Sequence, residues 1–274
     1  MNMKIPREIK DGVTILYGTY GEVRICDCLH PTLGLSSLPD NQKYICCTDP
    51  PYNDGYDGSQ FRDTTKSDYN TKTDHHNDVK FYNDKIENYE TWCRTWFTEL
   101  KRISEIIMFT CGQHNITMWD QIEPYNEMFI HYKNNTRSST NLCRYNDFDP
   151  ILFYYYKKMK GFTYKMNVFA HYVESGFLRE EDWRHSSPKP KQLYVELLEP
   201  LKPTHILDIF AGSGTSIECA EMMGVKYICY EIDPYYIPDL EKRIVRGQQQ
   251  YAEYQHQHRL NSMKKTKLTD FWKR

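Results

Sequence analysis

The sequence lacks any apolar run approaching the roughly 18 residues that a membrane span requires. Its opening, MNMKIPREIKDG, lacks the apolar core of a secretory leader. The expectation is therefore a soluble protein with no membrane partner, kept in the cytoplasm or, in a eukaryotic host, the nucleus. Paired C-x2-4-C spacing is absent: the nine cysteines (26, 28, 46, 47, 93, 111, 143, 219 and 229) are odd in number and lie mostly within apolar runs such as YICC and YICY. Reduced, buried thiols are expected, and no metal site. Internal repeats are also absent, which excludes a repeat architecture.

What is present is a chain of 274 residues, 39% hydrophobic, able to bury one large α/β domain with an elaborated insertion. The formal net charge of -2 hides a segregation. Residues 131–165 carry Lys/Arg at 133, 137, 144, 157, 158, 160 and 165 against Asp147 and Asp149, and residues 241–274 are similarly basic. Basic stretches on an otherwise acidic body suit a protein that holds a polyanion on one face. Solvated surface charge without a partner is the competing reading.

Short β-type apolar runs alternate with helical patterns, which argues for an α/β sheet. Strands are expected at GEVRIC (21–26), KYICCT (43–48), EIIMFT (105–110), EMFIHY (127–132), ILFYYY (151–156), HILDIF (205–210) and KYICYEI (226–232). Helices are expected over 88–103 and 187–201. Residues 53–87 are polar and aperiodic, and are expected to form a long loop. The stretch from about 247 is expected to be a polar linker, which sets the boundary between a domain over 1–246 and a tail over 247–274.

HILDIFAGSGTSIECAEMMGVKYICYEID (205–233) is a strand, a Gly-rich turn, a helix and a second strand ending in an acid, half of a nucleotide-binding βαβ unit. Gly212 and Gly214 stand where the backbone must turn tightly and admit a ligand. A helix then carries Ile217, Ala220 and Met223 on one face until Gly224 ends it. Glu231 is positioned to accept hydrogen bonds from ribose hydroxyls. A dinucleotide loop needs a third small residue where this chain has Ile217, so a ligand with a ribose and no phosphate fits better. S-adenosyl-L-methionine is such a ligand.

Tyr44-Ile45-Cys46-Cys47-Thr48-Asp49-Pro50-Pro51-Tyr52 is an apolar strand running into a rigid polar turn. Two prolines fix the backbone and remove two N–H donors. An exocyclic amine is a poor nucleophile, because its lone pair is delocalised into the ring. The Asp49 carboxylate and the Pro50 carbonyl can hold its two N–H groups and concentrate the lone pair toward an electrophilic methyl, with Tyr52 stacked on the base. A base must leave the duplex to reach such a pocket. Taken alone, the four residues also suit an ordinary strand-ending turn.

The two motifs together resemble the amino-methyltransferases of DNA. By the order of Asp-Pro-Pro-Tyr before the Gly-rich loop, the chain looks like their β group, over most of residues 20–240. SSPKPKQLYVELLEPLKPTHILDIFAGSGT looks like the family's Lys-Pro segment leading into the cofactor strand, while Phe148 and Asp149 depart from the commoner acidic pattern. The resemblance implies a Rossmann-like methyltransferase fold, with a mostly parallel mixed sheet and helices on both faces. It implies that Asp49, Pro50, Pro51 and Tyr52 form the catalytic loop. It further implies that Asp208, Phe210, Ala211, Gly212, Gly214, Thr215 and Glu231 hold S-adenosyl-L-methionine, with Lys189 and Pro190 nearby and Asp27 as an adenine contact. In that family a Ser in place of Asp49 points to cytosine N4, so Asp49 favours adenine N6, in a restriction–modification setting. Cytosine N4, an RNA base, or a non-catalytic adaptor that kept the fold are the alternatives.

Double-stranded DNA is the expected partner. Lys133, Asn134, Asn135 and Arg137 combine cations with amides suited to phosphate contact and base-edge readout. The family usually places target recognition before the Lys-Pro segment, which points to about 160–186. Leu268, Phe271 and Trp272 have the spacing of a sliding-clamp-binding peptide, against the plainer reading that the tail folds onto its own core. A second copy of the chain is a further expected partner, as a homodimer.

Overall fold

The computed structural model describes residues 4–40, 42–55, 84–134, 147–156, 163–173, 183–185 and 187–271, with side chains described through residue 260. Among the described residues, ten strands build one sheet. They are β1 (Arg7–Lys10), β2 (Val13–Tyr17), β3 (Gly21–Ile25), β4 (Tyr44–Thr48), β5 (Ser104–Thr110), β6 (Glu127–Lys133), β7 (Phe148–Tyr155), β8 (Val168–His171), β9 (His205–Asp208) and β10 (Lys226–Tyr230). Their spatial order is β1-β2-β3-β10-β9-β4-β5-β7-β6-β8. The stretch from β3 through β10, β9 and β4 to β5 is parallel, while antiparallel pairs flank it on both sides.

The central strands have no polar face, as expected of strands covered on both sides. Every residue of β4 is buried. Ile45 and Cys47 face one core with Ile106 and Met108 of β5; Tyr44 and Cys46 face the other with Ile107 and Phe109. The second core is covered by α1 (Tyr89–Ile103) and α2 (Ile116–Ile122). The first is covered by α3 (Lys191–Leu198), α4 (Thr215–Met223) and the start of α5 (Ile237–Phe271). The expected α/β architecture, with a mostly parallel mixed sheet and helices on both faces, is what forms.

Helix α1 shows why its sequence folds as it does. Tyr89, Cys93, Trp96, Phe97, Leu100 and Ile103 fall at helical spacing and are the buried residues. Glu90 lies in the first turn and Lys101 and Arg102 in the last, which complements the helix dipole. Trp96 packs edge-on against Phe109 and Phe210, joining this helix to the sheet and to the turn after β9.

All seven runs expected to be strands are strands, but three others were not anticipated. β1 is exposed along its whole length, so it carries no buried pattern to read. β2 completes an antiparallel pair with β3. β8 lies inside the 160–186 stretch expected to read DNA, and is a four-residue edge strand parallel to β6. HILDIF ends as a strand at Asp208 rather than 210. The helix expected from 187 begins only at Lys191. Pro188 and Pro190 explain the delay, because a residue before proline is driven out of the helical region.

The stretch from about 247, expected to be a linker, instead continues α5 without a break at the expected 246/247 boundary. Its Gln, Ala, Glu and Arg residues favour helix, and polar contacts dock it. Lys191 Nζ donates to Gln250 Oε1 at 2.8 Å, Tyr254 OH to Glu199 Oε1 at 2.6 Å, and Gln255 Nε2 to the Met223 carbonyl at 3.1 Å. Gly247 lets the helices meet: a Cβ there would lie 2.7 Å from the Glu218 carbonyl oxygen and 2.5 Å from Glu221 Cβ.

Gly247 therefore yields a prediction opposed to helix propensity. Alanine in a helix interior is ordinarily worth about 1 kcal/mol over glycine. Here Gly247→Ala should destabilise, because prying α4 from α5 costs about 1–3 kcal/mol. Urea unfolding should give a lower midpoint, and a raised midpoint would contradict this packing.

Candidate active site

β4 and β9 are parallel neighbours, with Ile45 opposite Ile206 and Cys46 opposite Leu207. The next strand of the chain lies outward on opposite sides, β5 beside β4 and β10 beside β9. Strand order thus reverses between them, and the loops leaving their C-terminal ends diverge to open a crevice. Asp49-Pro50-Pro51-Tyr52 leaves β4 at that edge, and Ile209 to Gly214 leaves β9. Two motifs some 160 positions apart in the chain become the two lips of one cleft.

Asp208 joins the lips from behind. Its Oδ1 accepts from Thr48 Oγ1 at 2.6 Å and from the Phe210 N–H at 3.1 Å, and its Oδ2 accepts from Ser216 Oγ at 2.5 Å. At 1% exposure it does not face the crevice. Burial pushes its carboxyl up to about 6, although the Ser216 and Thr48 hydroxyls pull it down. The expected cofactor contact is thus a residue that holds the loops in place.

The Asp49 carboxylate is tied at both oxygens. Oδ1 accepts from Tyr52 OH at 2.9 Å and from the Thr110 hydroxyl, and Oδ2 accepts from Lys189 Nζ at 2.8 Å. Around it the turn is braced: Tyr89 OH donates to the Pro51 carbonyl at 2.6 Å, and Asn115 Nδ2 to the Tyr52 carbonyl at 2.5 Å. Asn53, at a left-handed φ of 58°, and Asp54 give their N–H groups to Asp84. Burial pushes the Tyr52 hydroxyl well above its ordinary range, so it stays a neutral donor. Pro50 is buried.

Lys189 was expected beside the cofactor. Its ammonium is spent elsewhere, on Asp49, on Tyr52 OH at 3.3 Å, and on Asp149 Oδ2 at 3.9 Å. Its backbone does meet the cofactor loop, through a 3.0 Å bond from Thr215 Oγ1 to its carbonyl. Burial opposes its charge, but the Asp49 and Asp149 carboxylates outweigh that and raise its pKa. Asp149 is buried as well. Burial would raise its pKa, yet the hydrogen bond from His131 and the charges of Lys189 and Lys133 hold it below the usual carboxylate range.

The opposite lip is a cradle of backbone. Gly212 and Gly214 take left-handed φ angles of 52° and 82°. A Cβ on Gly212 would come within 2.9 Å of His185 Nε2. Glu231 accepts from the Gly212 N–H at 2.7 Å and the Asp233 N–H at 2.9 Å, and burial pushes its carboxyl up to about 7. One lone pair remains on each of its oxygens. Asp27, exposed just after β3, lies at the same edge of the sheet and accepts from the Leu29 N–H at 2.9 Å. Phe210 rests on Trp92 and Trp96, which sets the floor of the loop. Ala211 is buried, and its N–H reaches the Tyr230 carbonyl at 2.8 Å.

These residues fit a ribose-bearing cofactor without phosphate. Ile217, at 0% exposure, fills the place where a pyrophosphate-binding loop needs a small residue, and the nearby side chains are acids, which suit hydroxyl donors. Pro190 ends the Lys-Pro segment and caps α3.

The expected DNA-contact group fares differently. Lys133 is committed to Asp149 at 2.8 Å and is largely buried, so it does not stand free for phosphate. Asn134 follows it at the end of β6, whereas Asn135 and Arg137 lie outside the described residues, as do most of 53–87 and 160–186. Leu268 and Phe271 fall in the last turns of α5, with their side chains outside the described residues, as is Trp272. Sequence reading missed Thr110, Asn115, Tyr89, Asp84 and Asp149 as supports of the catalytic turn. Thr110 carried a usable signal, because it ends the strand next to β4 on the crevice side.

Comparison with known proteins adds the family. Residues 44–242 match the N6/N4 methylase family, described as DNA methylase, over more than half the chain. The type II methyltransferase M.HinfI of Haemophilus influenzae is 26% identical over 250 residues, covering 80% of this chain and 66% of that protein. The type II methyltransferase M2.LlaDCHI of Lactococcus lactis subsp. cremoris is 27% identical over 138 residues, covering 49% and 51%. The chain thus spans between about half and two thirds of the length of these relatives. Among solved structures, an M1.HpyAVI–SAM complex superposes with a TM-score of 0.54 at 16% identity, covering 82% of this chain and 98% of that one. The cytosine-N4-specific PvuII DNA methyltransferase gives 0.57 at 14%, covering 86% and 93%. With the match spanning both lips of the crevice, the chain belongs to the N6/N4 DNA methylase family.

Proposed function

We propose that the chain transfers a methyl group from S-adenosyl-L-methionine to N6 of an adenine flipped out of duplex DNA. The observation that carries this reading is the ionisable Asp49 side chain. It is fixed by three donors at the mouth of the β4–β9 crevice, directly across from the glycine cradle. An ionised carboxylate offers about four acceptor positions, so one stays open toward an incoming amine. Tyr52 is half-buried beside it, a ring on which a base can stack. The Asp at position 49 supports adenine over cytosine through the family resemblance.

The cofactor would supply an electrophilic methyl on a sulfonium sulfur. Gly212 and Gly214 would admit it along their backbone, while Glu231 and Asp27 would accept from its ribose and adenine groups. Asp49 would take one N–H of the amine, the Pro50 carbonyl the other, and the nitrogen lone pair would be left facing the cradle.

Purified protein given labelled cofactor and unmethylated duplex DNA should place its label in N6-methyladenine after nucleoside digestion. Label found only in N4-methylcytosine or only in RNA would overturn the substrate assignment. Asp49→Ala should lower the rate about 100-fold or more while calorimetry still detects cofactor binding; surviving activity would remove Asp49 from the chemistry.

A pH dependence follows from Glu231. Its carboxyl, raised to about 7 in the free site, must be ionised to accept from a ribose hydroxyl. Cofactor affinity should therefore be level above pH 7 and weaken below it, by up to about tenfold per pH unit. Glu231→Gln should flatten that slope. A wild-type affinity independent of pH between 5 and 8, or a slope that persists in Glu231→Gln, would contradict the role.

A further inference from the structure

We infer that Lys189 is a positioning residue for the Asp49 carboxylate, with Asp149 as the buried counter-charge that lets an ammonium stand there. The inference rests on the proposed role of Asp49 as the acceptor of the amine.

The argument begins with bond accounting. A carboxylate attached through a broad sp3–sp2 torsion turns easily unless both oxygens are held. Tyr52 and Thr110 hold Oδ1 only. Lys189 Nζ, at 2.8 Å, is the donor on Oδ2 among the described residues, so it sets the plane of the group and decides which lone pair faces the crevice.

Charge explains the second carboxylate. An ammonium paired with Asp49 alone would cancel the negative field that the amine needs, and would stand near the sulfonium of the cofactor. Asp149 Oδ2, 3.9 Å from Nζ, balances it, and Asp149 is in turn held by Lys133 at 2.8 Å and approached by His131 at 3.8 Å. The four ions Asp49, Lys189, Asp149 and Lys133 sum to zero, which makes their shared burial tolerable. These groups come from four places in the fold: the turn after β4, the segment before α3, β7 and β6.

Attachment of the lysine to the opposite lip completes the case. Its carbonyl accepts from Thr215 Oγ1 at 3.0 Å, and Pro190 follows with φ at -61°. Thr215 is the first residue of α4, so a single residue ties the start of the cofactor helix, by its backbone, to the base-holding carboxylate, by its side chain. A residue that contacted the cofactor with its ammonium would not spend that group on Asp49.

The test uses the full chain in the labelled-methyl assay on duplex DNA, with cofactor affinity measured by calorimetry on the same preparations. Lys189→Met should lower kcat about 10- to 100-fold, as a slightly misplaced acceptor does, and leave cofactor affinity unchanged. Lys189→Arg should recover part of the loss. Asp149→Asn should lower kcat roughly tenfold in the wild-type background and by much less beside Lys189→Met, since the two act as one unit. If Lys189→Met proves poorly folded by its urea midpoint, Lys189→Gln replaces it, keeping a donor without the charge. Unchanged kcat with weakened cofactor affinity would make Lys189 a cofactor contact and overturn the inference alone. Independent, additive losses at Lys189 and Asp149 would also overturn it. A wild-type protein that transfers no methyl to DNA would instead overturn the reading of Asp49, and this inference with it.

Discussion

The carboxylate of Asp208 sits where two parallel strand ends part, and its ties span the gap. It is removed from water at a cost of several kcal/mol, offset by the Thr48 and Ser216 hydroxyls and the Phe210 N–H. Thr48 precedes the catalytic turn, Phe210 begins the glycine cradle, and Ser216 lies in the first turn of the helix behind it. One buried group thus sets the separation of the two lips. The strand order makes this necessary: diverging loops at a switch point would otherwise share no contact that fixes their spacing.

From that fixed separation the polar architecture of the cleft follows. On the β4 side lies a row of alternating charge, Asp49, Lys189, Asp149 and Lys133, on elements from both halves of the chain. On the β9 side the groups are acids and backbone, Glu231 and Asp27 around Gly212 and Gly214, with the lysine's ammonium turned away from them. The aromatic group formed by Trp92, Trp96 and Phe210 stiffens the floor. Such a site is rigid behind and polar in front, which suits the holding of a neutral amine against an electrophile.

Much of this was legible in the sequence because it is written in local pattern. The fully apolar strands, the Gly-rich turn and the Asp-Pro-Pro-Tyr turn each carry their own backbone requirement. Gly212 and Gly214 do take left-handed φ angles, and Gly224 does end its helix. What stayed hidden depends on pairings between distant segments. No spacing tells that Lys189 turns toward Asp49, 140 positions away, or that Lys133 pairs with Asp149 rather than facing solvent. The helix after residue 247 was hidden for another reason. Its docking is polar, through Gln250, Tyr254 and Gln255, so it lacks the apolar stripe that marks a packed helix. The exposed edge strand β1 has the same lack of signal.

The central claim is that the two motif loops form one reaction site, with Asp49 as the group that meets the amine. A crystal structure with the demethylated cofactor product and a methylatable duplex tests it most directly. The account predicts an extrahelical adenine whose N6 lies within hydrogen-bond distance of Asp49, across from a cofactor sulfur seated along Gly212 and Gly214. A base held by other residues, or a cofactor bound away from the glycine cradle, would contradict it.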